Sequence, residues 1–492
     1  MLYKSKKILI ISLSLILFLP FLSFSQNNIL YNMKNVPQSV NSNPAFTSNY
    51  RFYLGLPVLS SMYLDVLNTG FTYNDLFKPD TENGGYMFDI KNLLSGLEEK
   101  NYVVNDFQFA LLSFGFKLRN DYFINFSANT KLHTEFFYSK GLFELANGNY
   151  REDQTPVKIA MGLSSTAYNE YGIGVSKKFN KQLYLGARIK FLRGIADIYS
   201  KKMGFDLYTA TDDEHTYDWT INSDIEIYHS LPVASKPTYD ETTGLFSGYD
   251  FDTTSKAEVK TFLGRNKGLA FDFGAVYDIN DLFTVSASIV DLGSIKWSNN
   301  VNSIKQQGSY PVSGIDIAKY FEDYNSITDT TSTVFEDLPQ NINDSVVGLM
   351  KPELGASSYK KSLYAKFYIG GSCHATKWLD ASVLYRGYSF DGKLKSALTI
   401  SANATFLRAW AASLSWSAMN GVKNNIGLGF AYNIGIFQFY ILGDNIAAPL
   451  YPIDMKFSEN LIKNTKQATV HFGINMVFRD KKDLALINNS RF

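Results

Sequence analysis

Five histidines, one cysteine and a set of polar residues spaced two apart are the positions in this sequence with chemistry to offer. His133, His215, His229, His374 and His471 show no His-Glu-x-x-His spacing, and the lone Cys373 cannot build a thiolate zinc site. No Gly-x-Ser-x-Gly elbow presents a nucleophile, and no Gly-Lys-Ser/Thr loop cradles a phosphate. No enzymatic activity, metal or other cofactor is therefore expected. The densest acidic run, Asp212-Asp213-Glu214-His215, offers hard oxygens to Ca²⁺, but it lacks the glycine and twelve-residue spacing of a calcium loop and reads as a solvated turn. What remains is Asn125, Asn129, Lys131, Arg188, Lys190, Asp272, Arg386 and Asn403, each on the polar parity of an alternating run. Opposed charges at such positions either brace a closed wall or line a path through it, and bracing is the weightier expectation.

Those residues share a face because of the elements that carry them. Across 122–132 one parity reads Tyr122, Ile124, Phe126, Ala128, Thr130, Leu132, and the other Phe123, Asn125, Ser127, Asn129, Lys131. The same split recurs from Leu183, where Arg188 and Lys190 oppose Leu185, Ala187 and Ile189, and from Leu269, where Asp272 opposes Phe271 and Phe273. It recurs from Tyr217, where Trp219, Ile221, Ile225 and Ile227 oppose Asp218, Thr220 and Asn222, and 203–228 reads as a hairpin protruding beyond the membrane. Side chains alternate across a strand, so these are two-faced β-strands. Arg119-Asn120-Asp121, Asn180-Lys181, Asn280-Asp281, Ala375-Thr376-Lys377, Leu407-Arg408 and the stretch around Gly435 separate alternating runs by two or three residues, the spacing of tight hairpins. Between the hairpins lie long polar stretches at 135–157, 194–267, 294–361 and 444–467.

Short turns at one end and long loops at the other are the asymmetry of a transmembrane antiparallel β-barrel, with short periplasmic turns and long extracellular loops. The hairpins, with 50–59 and 468–478 added, predict about 14 strands, with 12 to 16 tolerated. Cys373 falls on the parity of Phe367 and Ile369 and reads as a small buried or lipid-facing hydrophobe. A short apolar helical pattern at 90–100 reads as a surface helix over a loop, with a place inside or below the barrel as the other option. A second candidate, Ile315, Ile317, Ala318 and Phe321, lies in the longest insertion.

Composition agrees. Of 492 residues, 15% are aromatic and only 19% charged, and the formal charge of +1 removes the field that a nucleic-acid binder needs. Lys4, Lys6 and Lys7 precede an apolar run ending at Leu22, and Ser23 and Ser25 flank Phe24 as a small-x-small site, so residues 1–25 read as a secretory signal. Beyond it no uninterrupted run of 18 apolar residues offers a helical span. The expected division is a plug-like polar segment at 26–49, holding Pro37 and Pro44, then the barrel at 50–480 with its extracellular insertion at 294–361, then a tail at 481–492.

Several stretches together resemble an uncharacterised family of Gram-negative outer-membrane barrels known as a domain of unknown function. Its layout is similar to that of the long-chain fatty-acid transporter barrels and of accessory barrels of the type-nine secretion system. The carrying residues are Met33-Lys34-Asn35-Val36-Pro37-Gln38 with Asn43-Pro44-Ala45-Phe46, Tyr171-Gly172-Ile173-Gly174 leading to Leu185-Gly186-Ala187-Arg188, Phe271-Asp272-Phe273-Gly274-Ala275, and Gly443-Asp444-Asn445. The resemblance implies a barrel in the outer membrane with its N-terminal segment near or in the lumen, and no settled function. The expected job is gated transport of a hydrophobic or small molecule. The alternatives are a non-transporting accessory of a secretion or envelope assembly, meeting its protein partner through the outer loops, and a secreted soluble β adhesion protein. Expected partners are outer-membrane lipid, a hydrophobic ligand and an envelope or secretion protein, and no nucleic acid.

Overall fold

The computed structural model describes residues 28–79, 86–119, 121–211, 217–241, 244, 246–252, 263–312, 352–390, 393–406, 409–419, 422–444 and 466–479. The signal at 1–25, the acidic run at 212–215, the helical pattern around Ile315, the turn residues Asn120, Leu407 and Arg408, and the tail at 481–492 lie outside them.

Fourteen antiparallel strands close on themselves. In chain order these are β1, in two pieces, Phe52–Gly55 and Met62–Asn68, then β2 (Lys100–Leu118), β3 (Tyr122–Ser139), β4 (Val157–Lys178) and β5 (Leu183–Thr211). After β6 (Tyr217–Ser230), which stands apart from the wall, come β7 (Asn266–Asp278) and β8 (Phe283–Trp297). A second strand outside the wall, β9 (Val301–Val312), precedes β10, in two pieces, Tyr359–Ser362 and Lys366–His374. The circuit finishes with β11 (Leu379–Phe390), β12 (Lys393–Phe406), β13 (Trp410–Met419), β14 (Val422–Ile434), β15 (Phe437–Asp444) and β16 (Gln467–Phe478). Closure comes from β16 on both pieces of β1, with Phe52 opposite Phe478 and Met62 opposite Phe472. Among the described residues each wall strand pairs with a neighbour on either side, which lets a sheet sit in hydrocarbon.

The wall wears the alternation outward and inward as the sequence requires. Ile173, Leu185, Phe273, Ile369, Ile400, Leu414 and Ile441 are exposed on the outside, whereas Asn125, Arg188, Asp272, Ser401 and Gln438 are buried inside. At the short-turn end the exposed rings of Phe179, Phe283, Trp378, Phe406, Trp410 and Phe437 form a girdle. An apolar outer face bounded by aromatics and wrapped around a polar interior is built for lipid, so the chain is an outer-membrane barrel and a soluble sandwich is excluded.

Two local features depart from simple alternation. The first strand is broken where Pro57 removes a donor and Val58 takes a positive φ of 65°, so the wall bends inward between Gly55 and Met62. The expected loop at 194–267 is largely sheet: β5 runs on past Gly194, where β7 leaves it, and pairs with β6 from Asp197–Ser230 to Thr211–Tyr217. Strand β9 then pairs with β6, so the run from Tyr217 is an outer sheet standing beyond the rim, and not wall. A small hairpin, Ser235–Tyr239 with Phe246–Phe251, accompanies it. The helix Ile90–Gly96 packs Leu93 and Leu97 against Tyr138 and Phe71 at the long-loop end, as a surface helix over a loop.

Candidate functional site

Residues 28–50 fold within the barrel. Helix Asn28–Asn32 is followed by a 3₁₀ turn, Pro37–Asn41, opened by Pro37, whose missing N–H would be unpaired there anyway. The segment bonds to the wall all round: Asn32 to Ser401 (3.0 Å), Asn35 to Thr405 (2.8 Å), Gln38 to Asn475 (2.7 Å), and Arg188 Nη1 to Asn41 Oδ1 (2.5 Å). Ser176 and Ser288 donate to the carbonyls of Ala45 and Ser42 at 3.1 and 2.7 Å. The backbone at Asn43-Pro44-Ala45 lies so close to the wall that a Cβ on Gly186 would collide with the Pro44 carbonyl, and one on Gly274 with the Asn43 amide oxygen. Side-chain-free positions are what allow a second backbone to approach a strand this closely.

Above this segment, toward the long loops, the wall carries a charge network. Lys190 Nζ lies 2.7 Å from Asp272 and 2.6 Å from Asp291, and Lys131 Nζ lies 2.7 Å from Glu170. Asn129 donates to Glu170 at 3.3 Å, and Arg188 to Ser127 at 2.7 Å. Asn125, two residues before Ser127, is buried beside Gly174. Six of the eight residues singled out in the sequence therefore gather on β3, β5 and β7, with β4 between the first two. The other two sit across the lumen: Arg386 on β11 and Asn403 on β12, where Asn403 accepts from Ser413 at 2.7 Å.

Sequence reasoning missed two carboxylates of this network. Glu170 shares its parity with Tyr168 and opposes Tyr171, Ile173 and Val175, so its inward aim was there to be read. Asp291 was not: counted along β8 it should face lipid with Phe283 and Val285. A β-bulge opposite Phe271–Phe273 gives Asp291 a positive φ of 62° and turns its carboxylate inward, its own N–H donating to Asp272 Oδ1 at 2.8 Å.

The lumen is crossed a second time at the level of the two pieces of β10. Tyr364 donates to Glu135 on β3 at 2.8 Å, while Lys361 reaches Asp197 (3.0 Å) and Thr166 (2.8 Å) on β5 and β4. Between this crossing and the N-terminal segment lies a cavity with about 990 Å³ of empty space, open in part to solvent. Its floor includes Tyr368, stacked on Tyr31 with centroids 5.3 Å apart.

A profile described as a family of unknown function (DUF5723) matches residues 44–444. The chain belongs to that family. The match opens at Pro44, where the inner segment meets Gly186 and Gly274, and closes at Asp444, a buried lumen carboxylate that accepts from Ser415 at 3.3 Å. The stretches around Asn43, Gly186 and Gly274, which carry part of the DUF5723 resemblance, thus meet in space. No curated protein matches the chain. Among solved structures it is similar to the toluene transporter TbuX of Ralstonia pickettii, at 9% identity over 90% of this chain and 94% of that one, with a TM-score of 0.38. A Pseudomonas aeruginosa FadL homologue gives the same four values, and the monoaromatic hydrocarbon channel CymD gives 10%, 90%, 93% and 0.41. Likeness at this level carries no argument about what a DUF5723 barrel holds.

Proposed function

We propose that the barrel gives gated passage to a small molecule across the outer membrane. The observation that carries this reading is the interrupted lumen: an inner segment bonded to the wall on one side, an inward crossing at 359–366 on the other, and a cavity between them. A barrel built only to brace itself has no use for such a chamber, and an open diffusion pore would not be crossed twice. Apolar rings and charges both face the cavity, which suits a cargo with an apolar body and a polar end. The test is flux from proteoliposomes holding the purified chain. Small amphiphiles are expected to leave faster than from protein-free vesicles, and a large hydrophilic sugar is expected to be retained; equal retention of both would end the transport reading.

The sheet that β5, β6 and β9 raise beyond the rim favours a second reading, an envelope accessory that holds a protein partner there. Stoichiometric co-purification of one partner, lost when β6 and β9 are replaced by a short turn, would support it over transport.

A further inference from the structure

The chamber's polar groups are unevenly satisfied. Most charges on its lining already have partners: His133 with Asp106 at 2.6 Å, Lys361 with Asp197 at 3.0 Å, and Asp291 with Lys190 at 2.6 Å. Asp65 accepts from Thr469 at 2.5 Å and from Gln467 at 3.2 Å. Two cations remain. Lys366 and Arg386 line the cavity, and neither has a carboxylate within 4.0 Å among the described residues.

Register places the two side by side. Lys366 stands opposite Tyr388, and Tyr368 opposite Arg386, so one inner patch of β10 and β11 is a checkerboard of two cations and two tyrosines. The Arg386 guanidinium lies 5.1 Å from the Tyr388 ring centre. Across the cavity Trp297 adds another ring, wholly buried. Three lining atoms are buried without a hydrogen-bond partner: Arg386 Nε and Trp297 Nε1, which can only donate, and Nε2 of His133, whose Nδ1 already meets Asp106. A buried donor without an acceptor is costly, and a group carrying several acceptor oxygens relieves it. The buried lining carboxylates ask for no further donor, being already bonded.

We infer that the chamber binds a small organic anion carried on a planar apolar ring, an aryl carboxylate or sulfonate. The oxygens take Lys366, the Arg386 guanidinium and the Trp297 N–H, and the ring lies among Tyr368, Tyr388 and the indole. Bidentate geometry favours Arg386 as the main anchor, with Lys366 as a point charge beside it. The inference names the cargo of the passage proposed above and rests on that reading for its biological use, though the binding itself does not require flux.

The test is calorimetric titration of the full chain, folded in detergent, with benzoate, benzenesulfonate and the uncharged benzyl alcohol. The anions are expected to bind at least tenfold more tightly than the alcohol. Arg386→Gln and Lys366→Gln are each expected to weaken the anions about tenfold and leave the alcohol unchanged. Trp297→Phe keeps a ring and removes the donor, and is expected to weaken the anions severalfold. Heat-modifiable gel mobility establishes that each variant is folded, and any one folded variant decides the matter. Equal affinity for benzoate and benzyl alcohol, or unaltered benzoate binding in a folded Lys366→Gln or Arg386→Gln chain, would overturn the inference. Benzoate binding without flux in proteoliposomes would remove the transport reading and leave the site. Flux of benzyl alcohol without benzoate binding would do the reverse.

Discussion

Lys190 is the residue on which the lumen network turns. Its ammonium stands between Asp272 and Asp291, so its loss takes from Asp272 its cation within 4.0 Å and, among the described residues, leaves Asp291 with Lys131 alone, at 3.8 Å. Breaking a buried pair in this way costs about 3–5 kcal/mol. Lys190→Met is expected to lower stability by about that much in urea denaturation of the detergent-folded barrel, and adding Asp291→Asn is expected to restore part of it. A second expectation concerns Gly186. A leucine there drives its side chain into the Pro44 carbonyl, so the inner segment has to shift. A cysteine placed at the buried Ser42, in a Cys373→Ala background, is expected to be protected from a thiol reagent when Gly186 is present and to react in Gly186→Leu. Equal protection in both would contradict the docking of the segment on Gly186. At this scale the lumen face was legible because a strand's period of two leaves no choice of side. Asp291 was illegible because one bulge reverses the count, and a bulge closed by a non-glycine residue leaves no composition signal.

The hairpins were legible for a related reason: a two-residue turn between alternating runs has few other solutions, and the strands flanking each expected turn do pair. The outer sheet was legible in part: the hairpin expected beyond the membrane at 203–228 is what β5 and β6 form, but β9, with Val301 on one parity and Ile304 and Tyr310 on the other, carries no period-two signal to announce its pairing with β6. One element of that sheet is open to a pH test. His229 on β6 lies beyond the rim and is buried against Tyr249 (4.9 Å) and Phe251 of the small hairpin, and burial holds its pKa below the ordinary 6.5. The folded pKa is the lower one, so the stabilising contribution is complete above about 6.5 and fades as pH falls toward the folded value. Hydrogen exchange at Ser235–Tyr239 and Phe246–Phe251, corrected for its intrinsic pH dependence, is expected to quicken on acidification below 6.5 in the native chain. In His229→Phe it is expected to stay flat; a native chain equally flat would contradict the assignment.

For the whole molecule, the signal to read was the contrast between short turns and long connections together with two-faced strands, and it led to the right architecture because closure is the only way such a sheet can rest in lipid. The filling of the lumen was less accessible. Pro37 and Pro44 spoke against a strand at 26–49, but the docking of that segment on Gly186 and Gly274 depends on wall positions more than 130 residues away in sequence, where a glycine reads as a bend as easily as a contact. The central claim is that a closed outer-membrane barrel carries a lumen crossed by its own chain. Single-channel recording of the full chain in a planar bilayer tests it most directly. The account predicts a silent baseline with brief, small openings at most; a steady ohmic current of the kind an open diffusion pore passes would contradict it.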